Sequence, residues 1–165
     1  MQELLQELVE KYGDQVFRLA FRYTGDRSRA EDLAQETFLK AYRNLDRLDR
    51  NREAGPWLFK IATNLCRNWL RDNRETPMEN LEIVDSRVED SPERIYCARE
   101  SEQELVSALQ DLPQIYREVL LLKHVNELSY AEICETLSLE LSLVKNRLYR
   151  GRLMLKEKLA KGVRI

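Results

Sequence analysis

The stretch GPWLFKIATNLCRNWLRDNR, residues 55–74, decides the fold. Pro56 suits the first turn of a helix, where the N–H it lacks would find no intrahelical acceptor. Neither Gly nor Pro recurs before Pro77, so the spacing predicts one helix of about five turns. Leu58, Ile61, Ala62, Leu65 and Trp69 step at helical intervals along a core-facing stripe. Trp57, Lys60, Asn64, Arg67, Asn68, Arg71 and Arg74 share a second face that carries no carboxylate. Cations hold phosphates, carboxamides read base edges, and an indole stacks on an unpaired base. The plainer reading is the solvated side of an amphipathic helix. The rest of the chain tips the balance towards nucleic acid.

The 165 residues are 43% hydrophobic and 34% charged, a balance that suits a folded chain of one domain or two small ones. Five Gly and four Pro leave room for long helices joined by short turns. A net charge of −2 says nothing for or against nucleic acid, so the distribution of charge has to decide. Cys66, Cys97 and Cys134 are scattered, which fits a reducing cytoplasm rather than a disulfide framework. Cys66 and Cys134 fall in helical patterns and read as small buried hydrophobes. His124 is the only histidine, so no metal site and no cofactor are expected. The N-terminus is acidic, and the longest apolar run, Val119–Leu122, is far too short to insert in a membrane.

Ahead of the deciding stretch, Leu4, Leu5, Leu8, Val9 and Tyr12, then Val16, Phe17, Leu19, Ala20 and Tyr23, form helical apolar stripes on either side of Gly13. Thr24-Gly25-Asp26 breaks the pattern, and Ser28-Arg-Ala-Glu31 offers a capping box for the next helix. There Ala30, Leu33, Ala34, Thr37, Phe38, Ala41, Tyr42 and Leu45 mark the buried face. Glu31, Asp32, Gln35, Glu36 and Arg43 then point outward, and Leu39 with them. An apolar residue on an acidic outward face suits a protein partner. Asp32 and Glu36 could be paired acid/base groups, but no nucleophile, histidine or Gly-rich loop accompanies them, so no enzyme is expected.

After Arg74 the composition shifts. Residues 75–104 hold ten acidic residues against three basic, with Pro77 and Pro92, and read as an acidic linker. The second half shows a helix around Glu104–Leu109 ending before Pro113, and another through Ile115, Val119, Leu120 and Leu122. A capping box at Ser129-Tyr-Ala-Glu132 opens a short helix through Ile133 and Leu137. Ser142 is the expected N-cap of the last helix. Val144, Leu148, Gly151, Leu155 and Leu159 lie on one side of it. Lys145, Asn146, Tyr149, Arg150 and Arg152 lie towards the other, and Arg147 adds to the basic set. Residues 141–165 hold eight basic residues and one acidic. A short helix, a tight turn and a longer basic helix spell helix-turn-helix, whose second helix enters the major groove.

Three segments, AEDLAQETFLKAYRNLDRLD, WLFKIATNLCRNWLRD and LPQIYREVLLLKHVNELSYAEICETL followed by VKNRLYRGRLMLKEKL, resemble the extracytoplasmic-function (group IV) sigma factors, promoter-recognition subunits of bacterial RNA polymerase. The resemblance implies an all-α chain with a region 2-like domain over residues 1–74, a linker over 75–103 and a region 4-like helix-turn-helix domain over 104–165. It implies that Asp32, Gln35, Glu36 and Leu39 meet the clamp helices of the polymerase β′ subunit, with a further contact to the β flap. The loop Leu48–Glu53, with Leu48, Asp49, Arg50 and Asn51, would hold a base flipped from the −10 element. Trp57, Lys60, Asn64, Arg67, Asn68 and Arg71 would contact the melted strand. Ser142, Lys145, Asn146, Arg147, Tyr149, Arg150 and Arg152 would engage the −35 element. Members of the family are monomers when free and many are held by an anti-sigma factor, often membrane-anchored. One departure stands out: Leu139-Glu-Leu-Ser-Leu143 replaces the usual Ile-Pro-x-Gly-Thr. The rival readings are a self-sufficient helix-turn-helix regulator that binds DNA as a dimer and, behind it, a helical adaptor that binds protein and no nucleic acid.

Overall fold

A computed structural model describes residues 2–73 and 102–163, with side chains described as far as residue 160. Of the acidic linker expected over 75–103, residues 75–101, Cys97 among them, lie outside the described residues, as does Arg74, while Glu102 and Gln103 already belong to a helix. The chain divides into two units at the Arg74–Glu75 boundary. Among the described residues every regular element is helical.

In the first unit, α1 (Gln2–Thr24), α2 (Arg27–Arg43) and α3 (Gly55–Asp72) pack pairwise on one another, with a 3-10 turn at Leu45–Arg47 after α2. Helix α1 runs unbroken through Gly13 and buries Leu8, Tyr12, Val16, Leu19, Ala20 and Tyr23. Val9, expected in that stripe, is exposed. Gly25 ends α1 with a φ of 74°, a conformation that glycine adopts without steric cost. The box expected at Ser28 and Glu31 does not form. Asp26 caps α2 instead, its carboxylate accepting the Arg29 N–H at 3.2 Å, because the helix begins two residues earlier than that box requires.

Helix α3 starts where Pro56 predicts and buries Leu58, Ala62, Leu65 and Cys66. It also buries Phe59 and Thr63, which a single stripe does not include. The reason is that α3 faces both α1 and α2, so its buried arc is wider than one stripe. Full burial of a side chain such as Leu58 or Phe59 contributes about 1.5–3 kcal/mol. Gly55 marks the closest approach. A Cβ there would stand 3.0 Å from the Tyr12 ring and 3.2 Å from that of Phe59. Those two rings meet edge-on with centroids 6.0 Å apart.

The second unit comprises α4 (Glu102–Gln110), α5 (Gln114–His124), α6 (Tyr130–Leu137) and α7 (Leu141–Val163). Helix α7 packs on the other three. Val144, Leu148, Gly151, Leu155 and Leu159 are its buried side, as spaced. The Ser129–Glu132 capping box is present, and Ser138 closes α6 in the left-handed conformation that glycine usually supplies. Ser142 is not the cap of α7. The helix begins at Leu141, with the Glu140 carbonyl already accepting the Val144 N–H at 3.1 Å, so Ser142 sits inside the first turn.

Candidate polymerase and nucleic-acid interfaces

On α2 the outward residues lie where their spacing puts them. Asp32, Gln35 and Glu36 are exposed, and Leu39 is 57% exposed. Tyr42, expected in the core, is exposed too, because Ala41 and Leu45 fill the buried positions at this end of the helix. Leu39 and Tyr42, three residues apart, therefore form a small apolar pair beside the carboxylates.

On α3, Lys60, Asn64, Asn68 and Arg71 are exposed, while Trp57 and Arg67 are half-buried. Lys60, Asn64 and Asn68 follow one another at four-residue steps along a solvent-facing line. Arg71 is 3.6 Å from Asp72, an exposed ion pair of little energetic weight. Trp69, expected on the core-facing stripe, is half-buried, and its indole N–H is buried without a hydrogen-bond acceptor among the described residues.

The loop before α3 is built from its own side chains. Asp49 accepts the Asn51 N–H at 3.0 Å, and the Asp49 carbonyl accepts the Arg52 N–H at 3.1 Å. Asp49 therefore shapes the loop, while Arg50 and Asn51 are exposed upon it and Leu48 is half-buried. Between this loop and α1 lies an open cleft of about 410 Å³, bordered by Glu7, Leu8, Lys11, Tyr12 and residues 50–54. Tyr12 donates its hydroxyl to Glu53 Oε2 at 2.9 Å, and Lys11 Nζ lies 3.5 Å from the same oxygen. The Tyr12 hydrogen bond and the Lys11 charge hold the Glu53 carboxyl below its ordinary value of 4.5. Burial, then the bond to Glu53, raises the Tyr12 phenol.

The sign of this linkage sets a first prediction. A carboxyl depressed on folding contributes stability above its unfolded value, and that contribution is lost as pH falls through the lower folded value. Urea melts followed by tryptophan fluorescence report the first unit, since Trp57 and Trp69 are the only tryptophans. The stability difference between the native chain and Glu53→Gln should be constant at neutral pH and shrink as the solution is acidified below 4.5. A difference that stays constant through the acid range refutes the coupling.

In the second unit the basic set divides. Ser142 is exposed, and Lys145, Arg147, Tyr149 and Arg150 are half-exposed. Asn146 and Arg152 do not lie on the outer side that their spacing suggested. They are 1% and 3% exposed, and Arg152 Nε is 3.3 Å from His124 Nε2. The reason is that α7 is covered by three helices, so its buried arc takes in residues beside the Val144–Leu148–Leu155 line. Two groups that sequence reasoning passed over join the outer face. Lys123 Nζ lies 4.9 Å and Lys145 Nζ 5.9 Å from the centroid of the Tyr130 ring, so three helices bring two ammonium groups to one aromatic. Nothing in the sequence pairs residues so far apart.

Among the described residues no helix is long and apolar enough to cross a membrane, and no group of His, Cys, Asp and Glu could hold a metal ion.

Residues 8–76 match Sigma-70 region 2 and residues 102–155 match Sigma-70, region 4. The chain is 35% identical over 168 residues to the ECF RNA polymerase sigma factor SigW of Bacillus subtilis (strain 168), covering 96% of this chain and 90% of that protein. It is similar to CnrH as solved in complex with the cytosolic domain of CnrY, with a TM-score of 0.73 and 26% identity over 98% of this chain and 90% of that one. The fold is also shared with the sigma factor RpoE of Bartonella quintana, solved with the anti-sigma factor NepR, at a TM-score of 0.74 and 23% identity over 99% of this chain and 100% of that one. With both sigma regions matched in order along a chain this similar to SigW, the protein belongs to the ECF RNA polymerase sigma factors.

Proposed function

We propose that this sigma factor carries core polymerase to a promoter through three separate faces. It acts by binding and is not an enzyme. Asp32, Gln35, Glu36 and Leu39, with Tyr42, form the face on α2 that meets a polymerase clamp. The loop Leu48–Glu53 and the line Trp57, Lys60, Asn64, Arg67, Asn68 and Arg71 on α3 take the −10 element as it melts. Ser142, Lys145, Arg147, Tyr149 and Arg150 on α7, with Lys123 and Tyr130, take the −35 element. Asn146 and Arg152 support α7 from within. Residues 1–74 and 104–165 are then the two working domains, joined by the acidic stretch 75–103. The observation that carries this reading is the exposed line Lys60–Asn64–Asn68, which places a cation and two carboxamides on a helix otherwise packed into a core. The test is transcription by purified core polymerase plus this chain from a randomised promoter library. Enrichment of a two-part promoter supports the reading. Specific DNA binding by the free chain as a dimer would return the regulator instead.

The CnrH complex with a cytosolic domain supports a second part of the proposal: a cognate anti-sigma factor, membrane-anchored, holds this chain at the cytoplasmic side. Its capture from the native host by tagged chain, and the loss of that capture when polymerase is added in excess, is the corresponding test.

The α2 face gives a second prediction. Leu39→Ala or Glu36→Lys should weaken binding to core polymerase by about tenfold, the loss expected for a central contact of 1–2 kcal/mol. Helical circular dichroism should stay at the native level, because both side chains are exposed in the free chain. A fall in helicity equal to that of a core substitution would make these residues structural.

A further inference from the structure

The cleft beside the −10 loop contains one carboxylate that is largely exposed yet bonded through one oxygen, and its chemistry narrows what the cleft can receive. Glu53 extends from the loop just before α3, and Tyr12 reaches it from α1. The Tyr12 ring is itself anchored: it is 6% exposed, edge-on to Phe59, and pressed against Gly55 where no side chain intervenes. Its hydroxyl and the Lys11 ammonium both engage Oε2. Among the described residues no hydrogen bond engages Oε1, so that oxygen is left to accept from a ligand. Glu7 also borders the cleft, but no hydrogen bond among the described residues fixes it. An acceptor already held in place loses less side-chain entropy on binding than a mobile one.

We propose that Glu53 is a specificity-determining residue of the −10 site, favouring an unpaired base that carries an exocyclic amine, with Tyr12 and Lys11 as the positioning residues that aim it. This inference rests on the reading of the loop Leu48–Glu53 as the segment that holds an extruded base. An ionised carboxylate only accepts hydrogen bonds, so the edge it meets must donate. Cytosine and adenine each offer an amino group, and guanine offers an amino group beside a ring N–H. Thymine offers a single ring N–H between two carbonyl oxygens, which repel a carboxylate brought up to it. Arg50 and Lys11 on the same rim supply positive charge for the phosphates on either side of the base. The cleft, at about 410 Å³, is within the size range of small-ligand sites.

The experiment uses the full-length chain assembled with core polymerase, and core polymerase alone as the baseline. The probes are a fluorescent oligothymidylate and the same strand with one central dC, dA or dG, read by anisotropy. At least one amino-bearing probe should bind about tenfold tighter than the all-thymine strand, the size of one charge-assisted hydrogen bond. Glu53→Gln should bring that ratio to near unity, since an amide can donate to a thymine carbonyl as well as accept from an amine. Tyr12→Phe keeps the ring and its packing, so its melting temperature should stay close to native while the ratio falls. Equal binding of all four probes by the native chain overturns the assignment of Glu53 and leaves the promoter reading standing. A ratio unchanged in Glu53→Gln does the same. A uniform loss of affinity for every probe in Tyr12→Phe makes the bond structural and removes Tyr12 as a positioning residue. No binding above core polymerase alone by the native chain overturns the promoter reading itself.

Discussion

Replacing Arg117 with alanine should melt the second unit well below its native temperature. Arg117 is 4% exposed in α5, and its guanidinium closes the end of α4. Nε donates to the Leu109 carbonyl at 2.9 Å, and Nη2 to the carbonyls of Gln110 at 3.0 Å and Leu112 at 2.9 Å. These belong to the last turn of α4 and the chain just after it, where carbonyls lack intrahelical partners. A hydrogen bond to a charged group contributes about 1.5–3 kcal/mol, and the three act on one turn, so the total expected loss is about 3–5 kcal/mol. For a domain of this size that lowers the melting temperature by at least about 12 °C. The assignment to one unit is testable because both tryptophans lie in α3. Thermal melts of Arg117→Ala should show an early loss of helical circular dichroism with tryptophan fluorescence still native. Arg117→Lys should recover less than half of the loss, because an ammonium cannot reproduce the planar fork. A single transition at the native temperature would show that other contacts close α4 without this side chain.

The fold was legible because its signals are local and repeated. Pro56, the stripe through Leu58, Ala62 and Leu65 and the Ser129–Glu132 box each depend on residues within a turn or two of one another, and each is present in the structure, with Ile61 of that stripe only half-buried. The errors have a common source. A helix wheel shows which residues share a face but not how many neighbours that face has. Helix α3 meets two helices, so Phe59 and Thr63 are buried beyond the stripe; α7 meets three, so Asn146 and Arg152 are buried although their types suggest an outer face. Near the end of α2 the buried arc is narrower, and Tyr42 is left outside. The outward set on α2 was legible by the same wheel: Asp32, Gln35, Glu36 and Leu39 are all exposed. Pairings made by tertiary folding left no trace in the sequence pattern. Tyr12 and Glu53 are separated by a helix and a loop, and Lys123, Tyr130 and Lys145 come from three helices. Loop geometry left less trace: the turn that Asp49 makes by accepting the Asn51 N–H is read from the structure and not from the spacing.

Arg150→Ala and Asn64→Ala should fail at opposite ends of the promoter. Arg150 lies on α7 beyond the first turn, half-exposed, and a guanidinium that pairs with a base edge loses about 1–3 kcal/mol when truncated, with relaxed preference at that base pair. Asn64 is exposed at the middle of the α3 line, between Lys60 and Asn68, so its truncation should impair recognition and opening downstream while the upstream preference stays native. Lys145 should behave differently from Arg150 although the two share a helix. Lys145 and Lys123 share the Tyr130 ring, and no ion pair among the described residues neutralises either ammonium. Two like charges held near one ring are relieved by an anion that lies between them, and a phosphate supplies one on any sequence. Lys145→Ala should therefore weaken binding to all upstream sequences alike and lower the salt dependence by about one phosphate contact, leaving the preferred sequence unchanged. Open-complex formation on promoters altered singly at the upstream or downstream element, measured at several salt concentrations, separates the three variants. An upstream promoter change compensated by substitution at Asn64, or a downstream one compensated at Arg150, would reverse the assignment of the two helices. A Lys145→Ala variant that changes which upstream sequence is preferred would move that residue from the phosphates to the bases.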